Sequence, residues 1–400
     1  MQKGKAKPGG SAILSKNKLA MITMKCILHI GTEKTGTSTI QAFLDLNRSL
    51  LRCHKILFTQ SAGRINNRDL SVAAYNLTNI DDHVKSIGLR TAEKLSNYQT
   101  QVIDSLRREI DQARSDGLDT VCFSSEHLHS RLRTDEEVER LHAILRNLGI
   151  REITVVIYLR EQAALVTSLY NTAVIFGGIT TSPPEPNENE YWDNLCDHKE
   201  SIQRFQKIFG AKSVKPRLFI KEGFVGDSLV TDFLYTAGID LPKDKLRFSG
   251  RENESISWFG LDVLRRLNVR QPVFLDDGAR NPIRAGVPYL FRSAFKEGKK
   301  FKLPPESANR WQAAYKTSNE WVRQEYFPDR EKLFLSTSQG CNQDLGIDDS
   351  ELDQIADLLN LILIARSPQT GDSLSGSELL SIIVRKSQRK LRKLWKTPSP

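Results

Sequence analysis

Cys26-Ile27-Leu28-His29-Ile30-Gly31-Thr32-Glu33-Lys34-Thr35-Gly36-Thr37-Ser38-Thr39 decides the architecture. An apolar run ends in a glycine, and Ile40, Phe43, Leu44, Leu50 and Leu51 then recur at helical spacing. This predicts a strand, a glycine-bounded loop and a helix. Such a turn aims backbone N–H groups and the positive end of the helix at one spot, which suits a phosphate or sulfate. Nucleotide-hydrolysing loops place Lys directly after the second Gly. Here Thr37 holds that position and Lys34 lies inside the loop. The cation is therefore displaced towards a group being transferred.

Two further stretches read as strands that end in chemistry. Ile153-Thr154-Val155-Val156-Ile157-Tyr158-Leu159 is almost continuously apolar, as a strand of a buried parallel sheet would be, and it ends at Arg160. Leu165, Leu169, Ala173 and Phe176 follow at helical spacing, with Ser168 eight residues after Arg160. Thr120-Val121-Cys122-Phe123-Ser124 is the other strand, followed by Ser125-Glu126-His127-Leu128-His129. Ligands gather at the C-terminal ends of strands in open α/β sheets. Pro216 to Ile220 reads as a fourth strand. With helical patterns between the strands, the class is α/β, a central parallel doubly wound sheet with flanking helices.

Taken together, the Lys34 loop and the Arg160/Ser168 pair resemble the donor site of the PAPS-dependent sulfotransferases, whose fold is like that of P-loop NTPases. PAPS is 3′-phosphoadenosine 5′-phosphosulfate. The resemblance covers roughly residues 25 to 335. It implies that Lys34, Thr35, Gly36, Thr37, Ser38 and Thr39 hold the 5′-phosphosulfate. It implies that Arg160 and Ser168 hold the 3′-phosphate, and that 3′,5′-ADP is the product. No metal is expected. A general base must take the acceptor's proton; Glu126 is the first choice, with His127 and His129 as alternatives. The acceptor would bear a hydroxyl or an amine, and a glycan is expected. Asn253 to Ser257, before the helical run Trp258 to Leu267, and Asn319-Glu320 to Pro328 also look family-like. The C-terminal Arg-Lys-Gly and Gly-Asp-Trp-Lys-Asn motifs of many cytosolic members are absent. Lys296, Lys299, Lys300 and Lys302 are the basic run that could stand in for them.

The 400 residues are 39% hydrophobic and can bury a sizeable core. The expected organisation is a basic flexible leader over 1–23, one domain over 24–370 with irregular inserts near 177–190 and 278–305, and a basic tail over 371–400. Five scattered cysteines without CxxC spacing fit reduced thiols and a cytoplasmic location. The net charge of +10 favours encounter with a polyanionic donor. No nucleic-acid partner is expected. The tail, with Arg385 to Lys396 among Leu391, Leu394 and Trp395, could touch an anionic membrane surface. Two rival readings stay open: a metal-dependent P-loop kinase or NTPase with an unusual loop, and a non-enzymatic protein that binds anionic polymers.

Overall fold

Five strands run parallel in the order β2-β3-β1-β4-β5. They are β1 (Met24–Gly31), β2 (Ile56–Phe58), β3 (Thr120–Ser124), β4 (Ile150–Leu159) and β5 (Val214–Leu218). This is a computed structural model, and it describes residues 23–248, 255–276, 279–335 and 348–365. The tail 371–400, nearly all of the leader 1–23, Asn253 and Cys341 lie outside the described residues.

The alternation of side chains along each strand sorts the core into two layers. Met24, Cys26, Leu28 and Ile30 of β1 join Val121, Phe123, Val155, Ile157 and Leu159 on one face. That face is covered by the helices Ala92–Ser115, Asp135–Asn147 and His198–Phe209, through residues such as Leu106, Leu141 and Phe205. Ile27, Cys122, Val156 and Tyr158 point the other way, towards Ile40 and Phe43 of the helix Thr37–Leu46 and Phe233 of the helix Leu229–Ala237. Each such Leu or Phe contributes roughly 1.5–3 kcal/mol by leaving water. Both faces are thus wound, and every strand's C-terminal end opens on the same edge.

A third apolar cluster gathers the helix Gln162–Ile175 with Trp258–Arg270, Pro305–Ala314 and Asp349–Ala365. Two sequence expectations need adjusting. The stretch 278–305 is not irregular throughout: Val287–Ala294 is a helix, held by Val287 and Phe291, buried one turn apart. Its Gly and Pro fall at the ends, with Gly286 before the first turn and Pro288 within it. The long helical run after the loop breaks at Asn47, whose side chain donates to Phe43 O and Arg247 O. Ser257 caps the helix Trp258–Arg270 by accepting from Gly260 N. Residues 177–189 carry neither helix nor strand.

Candidate active site

The loop between β1 and its helix is shaped by its own side chains. Thr32 N and Oγ1 both donate to Tyr158 O of β4, at 3.0 and 3.1 Å. Thr35 Oγ1 donates to Thr32 O at 2.7 Å, and Thr37 Oγ1 at 3.4 Å. The hydroxyls of Thr35 and Thr37 therefore close the loop instead of facing a ligand. What the loop offers is its backbone: the amides of Glu33 to Ser38 find no acceptor among the described residues. Ser38 and Thr39 are exposed on the first turn. Gly36 has φ +79°, and a Cβ there would stand 2.3 Å from Leu229 Cδ2. Only glycine lets the turn pack against that helix.

Glu126 reaches the loop through a second glycine. A Cβ on Gly31 would lie 3.0 Å from both Cα and Cβ of Glu126, so the end of β1 packs closely against the second residue after β3. Both side-chain amide donors of the Glu126 carboxylate go to Oε2: Gln41 Nε2 at 3.1 Å and Asn66 Nδ2 at 3.2 Å. Oε1 stands 4.0 Å from His127 Nε2. Burial raises the carboxyl's pKa, Glu33 adds to this, and Gln41 and Lys34 oppose it. Burial likewise lowers the pKa of Lys34; Arg160 and Arg292 push it the same way, and Glu33 and Glu126 resist. Lys34 and Glu126 thus lie within electrostatic reach of each other.

Arg160 joins the loop directly, its Nη1 donating to Lys34 O at 2.7 Å. Its guanidinium also lies 5.6 Å from the centre of the Phe219 ring. Ser168 lies two turns along the helix Gln162–Ile175, on a half-buried stripe with Ala164 and Thr172. Two amides of that helix's first turn are already occupied, because Glu161 accepts from Ala163 N and Ala164 N. Asn319 and Gln162 exchange two hydrogen bonds of 2.9 Å, so the Asn319 segment does reach the end of β4.

The two histidine alternatives separate. Residues two apart on a helix point to nearly opposite sides. His127 faces Glu126, whereas His129 is buried and its Nε2 pairs with Ser201 Oγ at 2.7 Å. Burial brings the His129 pKa down to about 3. The structure does not bring His129 to the loop, so it is poorly placed as the base. His29 is another core histidine: it pairs with Ser124 Oγ at 2.8 Å and its pKa falls to about 3.

Sequence reasoning missed Gln41, Asn66, Glu33, Tyr191 and Arg292. Tyr191 OH donates to Glu33 Oε1 at 2.6 Å, tying the loop to the helix Glu190–Cys196. The one available hint was Gln41, a buried amide amid the apolar positions of its helix. In the basic run, Lys300 Nζ donates to Ser255 O at 2.5 Å. Arg292, from the helix Val287–Ala294, is the cation of the C-terminal half within electrostatic reach of Lys34. No group of three metal-ligating side chains occurs among the described residues, and no described helix is long and apolar enough to cross a membrane.

No family model matches the chain. Over 194 residues it is 25% identical to an uncharacterized protein of Archaeoglobus fulgidus, a match covering 48% of this chain and 51% of the other. The chain thus spans about half the length of this curated relative. Among solved structures, a sulfotransferase from Alicyclobacillus acidocaldarius overlaps with a TM-score of 0.33 at 15% identity, over 56% of this chain and 86% of that one. An overlap that loose carries no inference about activity.

Proposed function

We propose that the protein is a sulfotransferase that moves a sulfuryl group from PAPS to a hydroxyl or amine acceptor. One observation carries this reading. The end of β1 touches Glu126, the carboxylate with a raised pKa, at Gly31; Lys34 of the same loop is within electrostatic reach of that carboxylate, and Arg160 is bonded to the loop. That is a place for a departing negative charge beside a place for an arriving proton.

The loop amides and Lys34 would hold the phosphosulfate, and Arg160 with Ser168 the 3′-phosphate. The acceptor oxygen forms a bond to sulfur as the bond from sulfur to the bridging oxygen breaks. That bond's electron pair stays on the bridging oxygen, where Lys34 and the amides stabilise it. Glu126 takes the acceptor's proton. These groups balance the transfer by charge placement and hydrogen bonding, as in phosphoryl transfer.

Calorimetry tests the donor. With no metal added, 3′,5′-ADP should bind far more tightly than 5′-AMP or Mg-ATP. Arg160→Ala should weaken the binding of 3′,5′-ADP by about 1.5–3 kcal/mol, the worth of a charge-assisted hydrogen bond. Equal affinity for 3′,5′-ADP and 5′-AMP would sink the donor assignment.

A further inference from the structure

Ten buried side-chain N or O atoms among the described residues lack a hydrogen-bond partner, and four of them share one small region. They are Arg68 Nε, His83 Nε2, His127 Nδ1 and Arg131 Nε. Asp81 sits among them. Arg68 Nη2 donates to its Oδ2 at 3.0 Å, Tyr75 OH donates to the same oxygen at 3.1 Å, and Arg131 Nε stands 3.8 Å away. Arg68, Arg131, Asp81 and His83 all act electrostatically on His127. Asp69 faces His83 at 3.8 Å.

Buried polar groups in native folds are nearly always paired, and a group left over points to a water, an ion or a ligand. Here the unpaired atoms are all nitrogens, and an arginine Nε–H can only donate. Asp81 already faces both arginines, 3.0 Å from Arg68 Nη2 and 3.8 Å from Arg131 Nε, so what the two Nε–H groups lack is a further acceptor oxygen, to which a neutral imidazole can add one donor. A single oxyanion meets several guanidinium and imidazole donors at once, through short charge-assisted bonds.

The cluster adjoins the proposed reaction centre on two sides. His127 Nε2 lies 4.0 Å from Glu126 Oε1. The Arg131 guanidinium lies over the Tyr191 ring, 4.7 Å from its centre, and the Tyr191 hydroxyl holds Glu33 of the loop. An oxyanion seated here would stand beside the base, where an acceptor must lie.

We propose that Arg68, Arg131, His127 and His83 form a second oxyanion site, which reads a carboxylate or sulfate carried by the acceptor itself. Resting on the function proposed above, this makes the acceptor class acidic: a hydroxyl compound, such as a saccharide, that already bears a uronate or a sulfate. The site recognises the acceptor through a charge away from the reacting oxygen, and so sets which hydroxyl faces Glu126.

The experiment titrates glucuronate and, separately, inorganic sulfate into protein saturated with 3′,5′-ADP, so that the nucleotide part of the donor site is filled. Sulfate that binds beside Lys34 instead is told apart by its indifference to Arg131→Gln and His127→Leu. The wild type should bind at least one of them. Tighter binding of glucuronate marks a carboxylate-bearing acceptor, and tighter binding of sulfate a sulfated one. Arg131→Gln and His127→Leu should each weaken that binding by roughly tenfold or more, the loss of one charge-assisted bond. Affinity for 3′,5′-ADP should stay within about twofold of the wild type, because neither residue touches the loop amides. His127→Leu removes an unpaired donor, so it serves if Arg131→Gln does not fold. The proposal is overturned if neither anion binds the loaded protein, or if both variants bind as the wild type does, since water then satisfies the nitrogens. Should 3′,5′-ADP itself fail to bind, the sulfotransferase reading falls. The same titration of the free wild type and variants still decides the oxyanion site.

Discussion

Glu126, partly buried, and Asp232, fully buried, are both carboxylates beside the sheet, and they are treated in opposite ways. Asp232, fully buried, receives the Arg217 fork through Nε at 3.0 Å and through Nη2, Tyr158 OH at 2.7 Å and Val225 N at 3.0 Å. A full positive charge and two further donors hold it as a fixed anion that ties β5 to the helix Leu229–Ala237. Glu126 receives only neutral amides: the side chains of Gln41 and Asn66, both on one oxygen, and its own backbone N–H. Neutral donors orient a carboxylate without cancelling its charge, so burial is left to raise its proton affinity. A structural carboxylate is neutralised, whereas one suited to accept protons is oriented and left basic.

The largest expected effect breaks the contrast at Glu126. Glu126→Gln keeps the shape and the donor contacts but cannot take a proton. Turnover should fall by ~10²–10⁴-fold with 3′,5′-ADP affinity intact. Unchanged turnover would reduce Glu126 to a second structural carboxylate. Asp232→Asn should do the reverse. Breaking a buried ion pair costs ~3–5 kcal/mol, and the low end applies because a quarter of the Arg217 side chain reaches water. Denaturant melts should show that loss while kcat per folded molecule holds; a collapse of kcat without loss of stability would make Asp232 part of the site.

Lys34→Ala sharpens the comparison from the other side of the loop. Removing a donor to the developing charge should lower kcat by ~10²–10³-fold. Binding of 3′,5′-ADP should change much less, since that product lacks the sulfate. Preserved kcat with lost affinity would show that Lys34 only grips phosphate. The smallest effect is in pH dependence. Glu126 must be ionised, and its pKa is raised above the ordinary 4.5, so activity disappears as pH falls through a value above 4.5. Lys34 must be protonated, and its pKa is lowered from 10.5, so activity disappears as pH rises through a value below 10.5. The bell of kcat/KM should therefore lie inside that interval. An acid limb at or below 4.5 would mean that Glu126 is not the base.

The sequence alone determined what neighbouring residues decide together. The strand before Gly31, the loop and the helix after Gly36 follow from apolar periodicity and from the left-handed φ that glycine accepts. Arg160 stands just past the end of β4, where the apolar run from Ile153 to Leu159 gives out, although the strand itself starts earlier, at Ile150, and takes in Arg151 and Glu152. The positions of β3 and Glu126 were legible from a similar apolar run. The three-residue β2 was not, since Ile56–Phe58 is too short to show a period.

Tertiary structure alone decided what each of those groups does. Glu126 is oriented by Asn66 and Gln41, 60 and 85 residues away in the chain. Thr35 and Thr37, which look like ligand donors, spend their hydroxyls on Thr32 O. His127 and His129 are equivalent as letters, yet one faces Glu126 and the other is sealed against Ser201, 72 residues on. Local pattern fixes where a side chain starts. Its proton affinity and its partners depend on which distant elements pack over it, and long-range burial sets them both.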